Sequence, residues 1–196
     1  MVWVGVLSLG LVLIAAALDL IPPAATAAGS TDAAGLQDTA LVLVGHGALP
    51  KDYPRTEEFF RLHRENPQAA HEMEEEIRNW PRTEENDPYW AGFMKVVEAV
   101  RRTNRFRGVY PAFNESCAPT VGEALEQASR SGAKRIVVTS IMLTPGGVHS
   151  EKDIPAAITL FKEAHPDVEV VYAWPYEPSL IAELLAQHTV AFVNRD

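Results

Sequence analysis

Cysteine is almost missing from this chain of 196 residues: Cys117 stands alone, so no disulfide can form within it and no cysteine cluster can hold a metal. Any bound ion must rest on imidazole, carboxylate or water. Basic charge is also in deficit, with 17 Lys and Arg against 26 Asp and Glu and a formal net charge of -9. That balance excludes an ordinary nucleic-acid binder, which needs a basic surface to neutralise phosphates. Apolar residues are not scarce. At 47% apolar and 22% charged, the composition is that of a folded protein, and the length suits one domain with a real core.

Charge is missing altogether between Met1 and Leu18. The apolar run continues through Leu20-Ile21 with Asp19 as its interruption, Pro22-Pro23 break it, and Ala25-Thr26-Ala27 offers a small-x-small cleavage pattern. Residues 1–27 are therefore expected to be an export signal or an uncleaved anchor that associates with a membrane. The protein would then be exported, periplasmic or membrane-anchored. No Lys or Arg precedes the run, so a misplaced start and a cytoplasmic product form the other reading. Residues 28–38 are small and polar and read as a linker.

From residue 39 to the end at 196, short β-branched runs alternate with longer helical ones. Strands are predicted at 39–44 (TALVLV), 108–113, 135–142 and 168–173. Helices are predicted in two stretches over 56–79, the second starting near Pro67, and at 88–102, 119–131, 153–164 and 178–192. The 88–102 helix shows an apolar stripe of Phe93, Val96, Val97 and Val100, and Asp153 reads as the N-cap of the 153–164 helix. Strands apolar on both faces, alternating with helices, indicate an α/β domain: a four-stranded parallel sheet flanked by helices. Residues 51–88, rich in Glu, Arg and Pro, read as a charged helical insertion.

In such sheets ligands bind at the carboxyl ends of the strands. Three unusual loops follow strands here: Gly45-His46-Gly47, Asn114-Glu115-Ser116 and Gly146-Gly147-Val148-His149. They should meet on one edge. The glycines leave room for a large ligand beside the imidazoles, and neutral imidazole is a common ligand for cobalt, nickel, iron and zinc. Two such ligands would make an open site suited to passing a metal on. Each residue also has a plain reading: His46 satisfied at a tight turn, His149 solvated in a loop, Glu115 placed near a helix start. His63, His71, His165 and His188 read as solvated histidines.

The segments Leu43-Val44-Gly45-His46-Gly47, Ala112-Phe113-Asn114-Glu115 and Leu143-Thr144-Pro145-Gly146-Gly147-Val148-His149, with Asp153-Ile154-Pro155 beyond, resemble the small sirohydrochlorin cobaltochelatases and their ferrochelatase relatives. The resemblance covers roughly residues 39–192 and implies a chelatase-type three-layer domain. It implies insertion of a divalent metal into sirohydrochlorin or a related tetrapyrrole, for cobalamin or siroheme-type cofactor synthesis, without an organic cofactor. His46 and His149 would bind the metal and assist deprotonation, with Glu115 as a second proton acceptor. Cobalt is the expected ion, iron and nickel suiting the same ligands. Gly45, Gly47, Gly146 and Gly147 would face the macrocycle, and Arg55 and Arg82, with Lys51, would meet its carboxylates. Short relatives pair as homodimers, so a homodimer is expected. Two rivals remain: a histidine phosphatase, which wants an arginine where Gly45 stands, and an exported cobalt or nickel carrier without chelatase activity.

Overall fold

In the computed structural model, residues 36–194 are described. The expected export segment, residues 1–27, and most of the linker lie outside them. The predicted alternation is present: β1 Thr39–Gly45, α1 Thr56–Glu65, α2 Pro67–Arg78, α3 Pro88–Arg102, β2 Gly108–Phe113, α4 Val121–Arg130, β3 Arg135–Ser140, α5 Ile154–Ala164, β4 Glu169–Tyr172 and α6 Pro178–Val193. The four strands form one parallel sheet in the order β2-β1-β3-β4. β1 lies between β2 and β3 and is buried along its whole length, which is why its run carries no polar alternation.

The period-2 geometry of β1 sends its side chains to two cores. Ala40, Val42 and Val44 join Ile136, Val138 and the inner faces of α4 and α5, through Leu125, Ala128, Ile158 and Phe161. Leu41 and Leu43 join Val109, Phe113 and the α3 residues Phe93 and Val97. This is the expected three-layer α/β arrangement. A third cluster of Tyr53, Phe59, Met73 and Ile77 belongs to the charged insertion, so α1 and α2 have a core of their own.

Local signals explain most boundaries. Asn66 and Asp87 cap α2 and α3 through their side chains, each followed by proline in the first turn. Thr120 and Glu123 form a full capping box on α4. Three expectations need correction. Val96 is exposed, so the α3 stripe is Phe93, Val97 and Val100, at helical spacing. β3 ends at Ser140, where Ser140 Oγ accepts the Met142 N–H at 3.0 Å and turns the chain. Asp153 caps nothing: a π-helical turn, His149–Asp153, runs directly into α5. Among the described residues no helix is long and apolar enough to cross a membrane.

Candidate metal centre

The loops after β1, β2 and β3 meet at the carboxyl edge of the sheet, as parallel topology requires. They bring His46, Glu115 and His149 together, with one ligand atom from each lying within 4.8 Å of the others. The two imidazole rings are 4.8 Å apart in an edge-on arrangement. Glu115 stands between them: one carboxylate oxygen is 3.3 Å from His46 Nδ1 and the other 3.6 Å from His149 Nε2. All three side chains are partly exposed, so an ion can reach them from solvent.

The surroundings of each imidazole select its free nitrogen. His149 Nδ1 lies 2.7 Å from the Asp153 carboxylate, one helical turn on, and 2.5 Å from the Asn114 side-chain amide, which also reaches that carboxylate at 3.4 Å. Nδ1 is thus engaged by both groups, and Nε2 is the nitrogen that faces Glu115. A carboxylate behind a histidine is the usual support for a metal ligand. His46 Nδ1–H donates to the Gly47 carbonyl at 2.9 Å, which again leaves Nε2.

The loops carrying His46 and Glu115 are sewn together. Asn114 N–H donates to the Gly45 carbonyl at 3.0 Å and Glu115 N–H to the His46 carbonyl at 2.9 Å. Gly47 has φ +99, and a Cβ there would sit 1.8 Å from the Glu115 carbonyl oxygen, so no side chain fits. His46 N–H donates to the Tyr89 hydroxyl of α3 at 2.6 Å. Gly45 packs against Phe93 and Tyr89 and is buried. Gly146 and Gly147, by contrast, are exposed, with open space where a Cβ would point.

A cleft of about 360 Å³ opens beside the cluster, lined by Glu115, His149 and Asp153 on one side and by Phe60, His63 and Arg78 of the insertion on the other. The insertion is therefore a wall of the site. His63 faces this cleft and does not belong to a purely solvated surface. Arg82, expected at the substrate, is buried and bonded to Asp87 and to three backbone carbonyls, which removes it from that role. Arg55 is tied to Glu58 and Glu76 and, with the exposed Lys51, does not line the cleft. The cation that does line it is Arg78, whose guanidinium pairs with the exposed Glu75. Arg78 and Asp153 were missed in the sequence; only the four-residue spacing from His149 to Asp153 could have found the second.

The remaining polar groups are accounted for elsewhere. His71 is exposed, as expected, with a surface pair to Glu74, whereas His165 contacts Glu126 at 2.6 Å and stacks on Phe161, so it is not merely solvated. Burial pushes the Cys117 thiol up to about 11, which keeps it protonated and outside any ligand set near neutral pH.

A family model described as CbiX matches residues 85–190, more than half of the chain. The match includes Glu115 and His149, and His46 precedes it. A sirohydrochlorin cobaltochelatase of Methanopyrus kandleri is 41% identical over 69 residues, 35% of this chain and 48% of its own length. That of Methanocaldococcus jannaschii is 35% identical over 72 residues, 37% of this chain and 50% of its own. The chain thus matches about half the length of these curated relatives. Among solved structures, the sirohydrochlorin chelatase SirB from Bacillus subtilis subspecies spizizenii in complex with cobalt is 18% identical, with 70% of this chain and 43% of that one covered and a TM-score of 0.44.

Proposed function

This chain belongs to the CbiX family, and from that premise we propose that it inserts a divalent metal, cobalt in the first place, into sirohydrochlorin or a closely related tetrapyrrole. The observation that carries the reading is the His46, Glu115, His149 cluster at the mouth of a cleft. The metal is a substrate. It is held by the two imidazoles and the Glu115 carboxylate, a nitrogen and oxygen set that suits cobalt, iron and nickel alike. The names of the relatives in Methanopyrus kandleri and Methanocaldococcus jannaschii favour cobalt.

The chemistry needs no organic cofactor. Two pyrrole N–H bonds break as metal–nitrogen bonds form, so two protons must leave the macrocycle. Glu115, between the imidazoles, accepts one of them, and a histidine released from the metal accepts the other. Arg78 on the insertion wall meets a substrate carboxylate. Its partner Glu75 is exposed, so the pair is of small worth and can be exchanged for a bidentate contact.

A cleft of about 360 Å³ is small for a polycarboxylate macrocycle, which favours completion of the site by a second copy in a homodimer. α6 supports this: it buries none of its side chains and exposes Leu180, Leu184, Leu185, Val190 and Phe192. A helix so apolar all round ordinarily has a partner. Light scattering should give a dimer, and Leu184→Glu should break it; a wild-type monomer at micromolar concentration contradicts pairing. Export remains our reading of residues 1–27, and cell fractionation with N-terminal sequencing decides it.

The assay of function is direct. Protein incubated with sirohydrochlorin and cobalt should change the macrocycle's absorbance faster than metal and macrocycle alone. No acceleration with cobalt, iron or nickel rejects the reading.

A further inference from the structure

Arg82 and Asp87 form a buried ion pair beneath the candidate metal centre, their side chains 6% and 1% exposed. We propose that this pair positions the His46 and Glu115 loops at metal-binding separation; the inference rests on the reading of His46, Glu115 and His149 as ligands.

The contacts lead to the site from both sides. Arg82 Nη1 donates to Asp87 at 2.6 Å and to the Ala48 carbonyl at 2.7 Å, two residues beyond His46. Nη2 donates to the Ile77 carbonyl at 2.8 Å and to the Ser116 carbonyl, one residue beyond Glu115. One rigid guanidinium thus joins the loop after β1, the loop after β2 and the end of α2. Asp87 balances the buried charge and also accepts the Trp90 N–H at 2.8 Å, fixing the start of α3. The same first turn of α3 carries Tyr89, whose hydroxyl accepts the His46 N–H. The path from Arg82 through Asp87 and Tyr89 therefore closes on His46 itself.

A planar fork is required for this. Lysine offers a point charge on a flexible stem and cannot hold acceptors on three segments at fixed angles. The backbone bonds between the loops hold them at Gly45 and His46, whereas the fork fixes them beyond the ligands, at Ala48 and Ser116. Because a metal responds to shifts well below an ångström, loss of the fork should weaken the metal site without emptying the core.

The pair is unsuited to simple deletion, since removing one partner leaves the other charge buried and unpaired. Arg82→Met combined with Asp87→Asn removes both charges and keeps an oxygen to cap α3. Arg82→Lys is the second variant, which keeps the charge and loses the fork. The readouts compared with wild type are melting temperature, cobalt affinity by titration of the metal alone, exchange of the Glu115 amide, and kcat and KM for insertion. The expected result is a folded variant with cobalt affinity and kcat for insertion reduced about 10–100-fold. KM for the macrocycle should hold, and Glu115 amide exchange should accelerate. The lysine variant should move the same way by less, and it carries the test if the double variant does not fold. Folded variants with wild-type cobalt affinity and unchanged Glu115 exchange overturn the proposal. If wild type inserts no metal, the chelatase reading fails, while affinity and exchange still decide the positioning role. If wild type binds no cobalt, amide exchange decides it alone.

Discussion

The two sides of the candidate metal centre are held to different degrees. His46 and Glu115 are fixed by contacts between segments far apart in the chain: β1 to β2, α3 to β1, and Arg82 to both loops. His149 is fixed chiefly by its own neighbourhood, through Asp153 four residues on and a π-helical turn leading into α5, with side-chain contacts from Asn114 to His149 and Asp153 and from the Tyr172 hydroxyl to the Ser150 carbonyl. Glu151 adds a local tie, accepting the Gly146 N–H at 2.8 Å. One side is a platform held by backbone bonds and a buried ion pair, and the other is an arm held by a helical turn and side-chain contacts from the loop after β2 and from β4. For the proposed insertion, in which an ion is gripped and then passed to a macrocycle, that asymmetry would let His149 move while His46 and Glu115 stay.

The glycines test the contrast most strongly. Gly47→Ala should cost more than about 2 kcal/mol and abolish metal binding, since the new Cβ meets the Glu115 backbone and φ is positive. Gly147→Ala, on the arm, has open space and should stay within about 0.5 kcal/mol of wild type by thermal melting. Equal effects at the two positions would break the comparison.

On the arm the sensitive residue should be Asp153. Asp153→Asn keeps the shape but removes the negative charge behind His149 Nδ1, and cobalt affinity should fall about 10–100-fold with little change in melting temperature. An unchanged titration would mean that the platform alone holds the ion.

The smallest effect concerns the underside of the platform. Cys117 is buried there beside Ala48 and Asp87, and burial raises its thiol to about 11. The neutral thiol is thus favoured in the folded state. Its contribution to stability is complete below the unfolded value of about 8.5 and is lost as pH rises towards 11. Alkylation at pH 9 should therefore be slow in the native protein and fast after unfolding. Rapid labelling of the native form would show that the platform opens.

The same asymmetry explains what could be read beforehand. The four parallel strands and the site edge follow from apolar periodicity and the strand-end rule, so the meeting of His46, Glu115 and His149 was legible in the sequence, while the order β2-β1-β3-β4 was not. Arg82 and Arg78 were not distinguishable there. Both are arginines in a charged insertion, and only tertiary packing buries one and turns the other to the cleft. Asp153 carried a local signal at i+4 from His149, but a start of the helix at 153 made it look like a cap. The π-helical turn moved that start by one turn and gave its carboxylate to the histidine instead.

The central claim is that His46, Glu115 and His149 act as one unit on one metal ion. It is tested by cobalt insertion into sirohydrochlorin with His46→Ala, His149→Ala and the double variant, beside His165→Ala as a control away from the site. The account predicts that each single variant folds and loses insertion, that the double variant is no worse than either, and that the control matches wild type. A folded His149→Ala protein that inserts cobalt at the wild-type rate would contradict it.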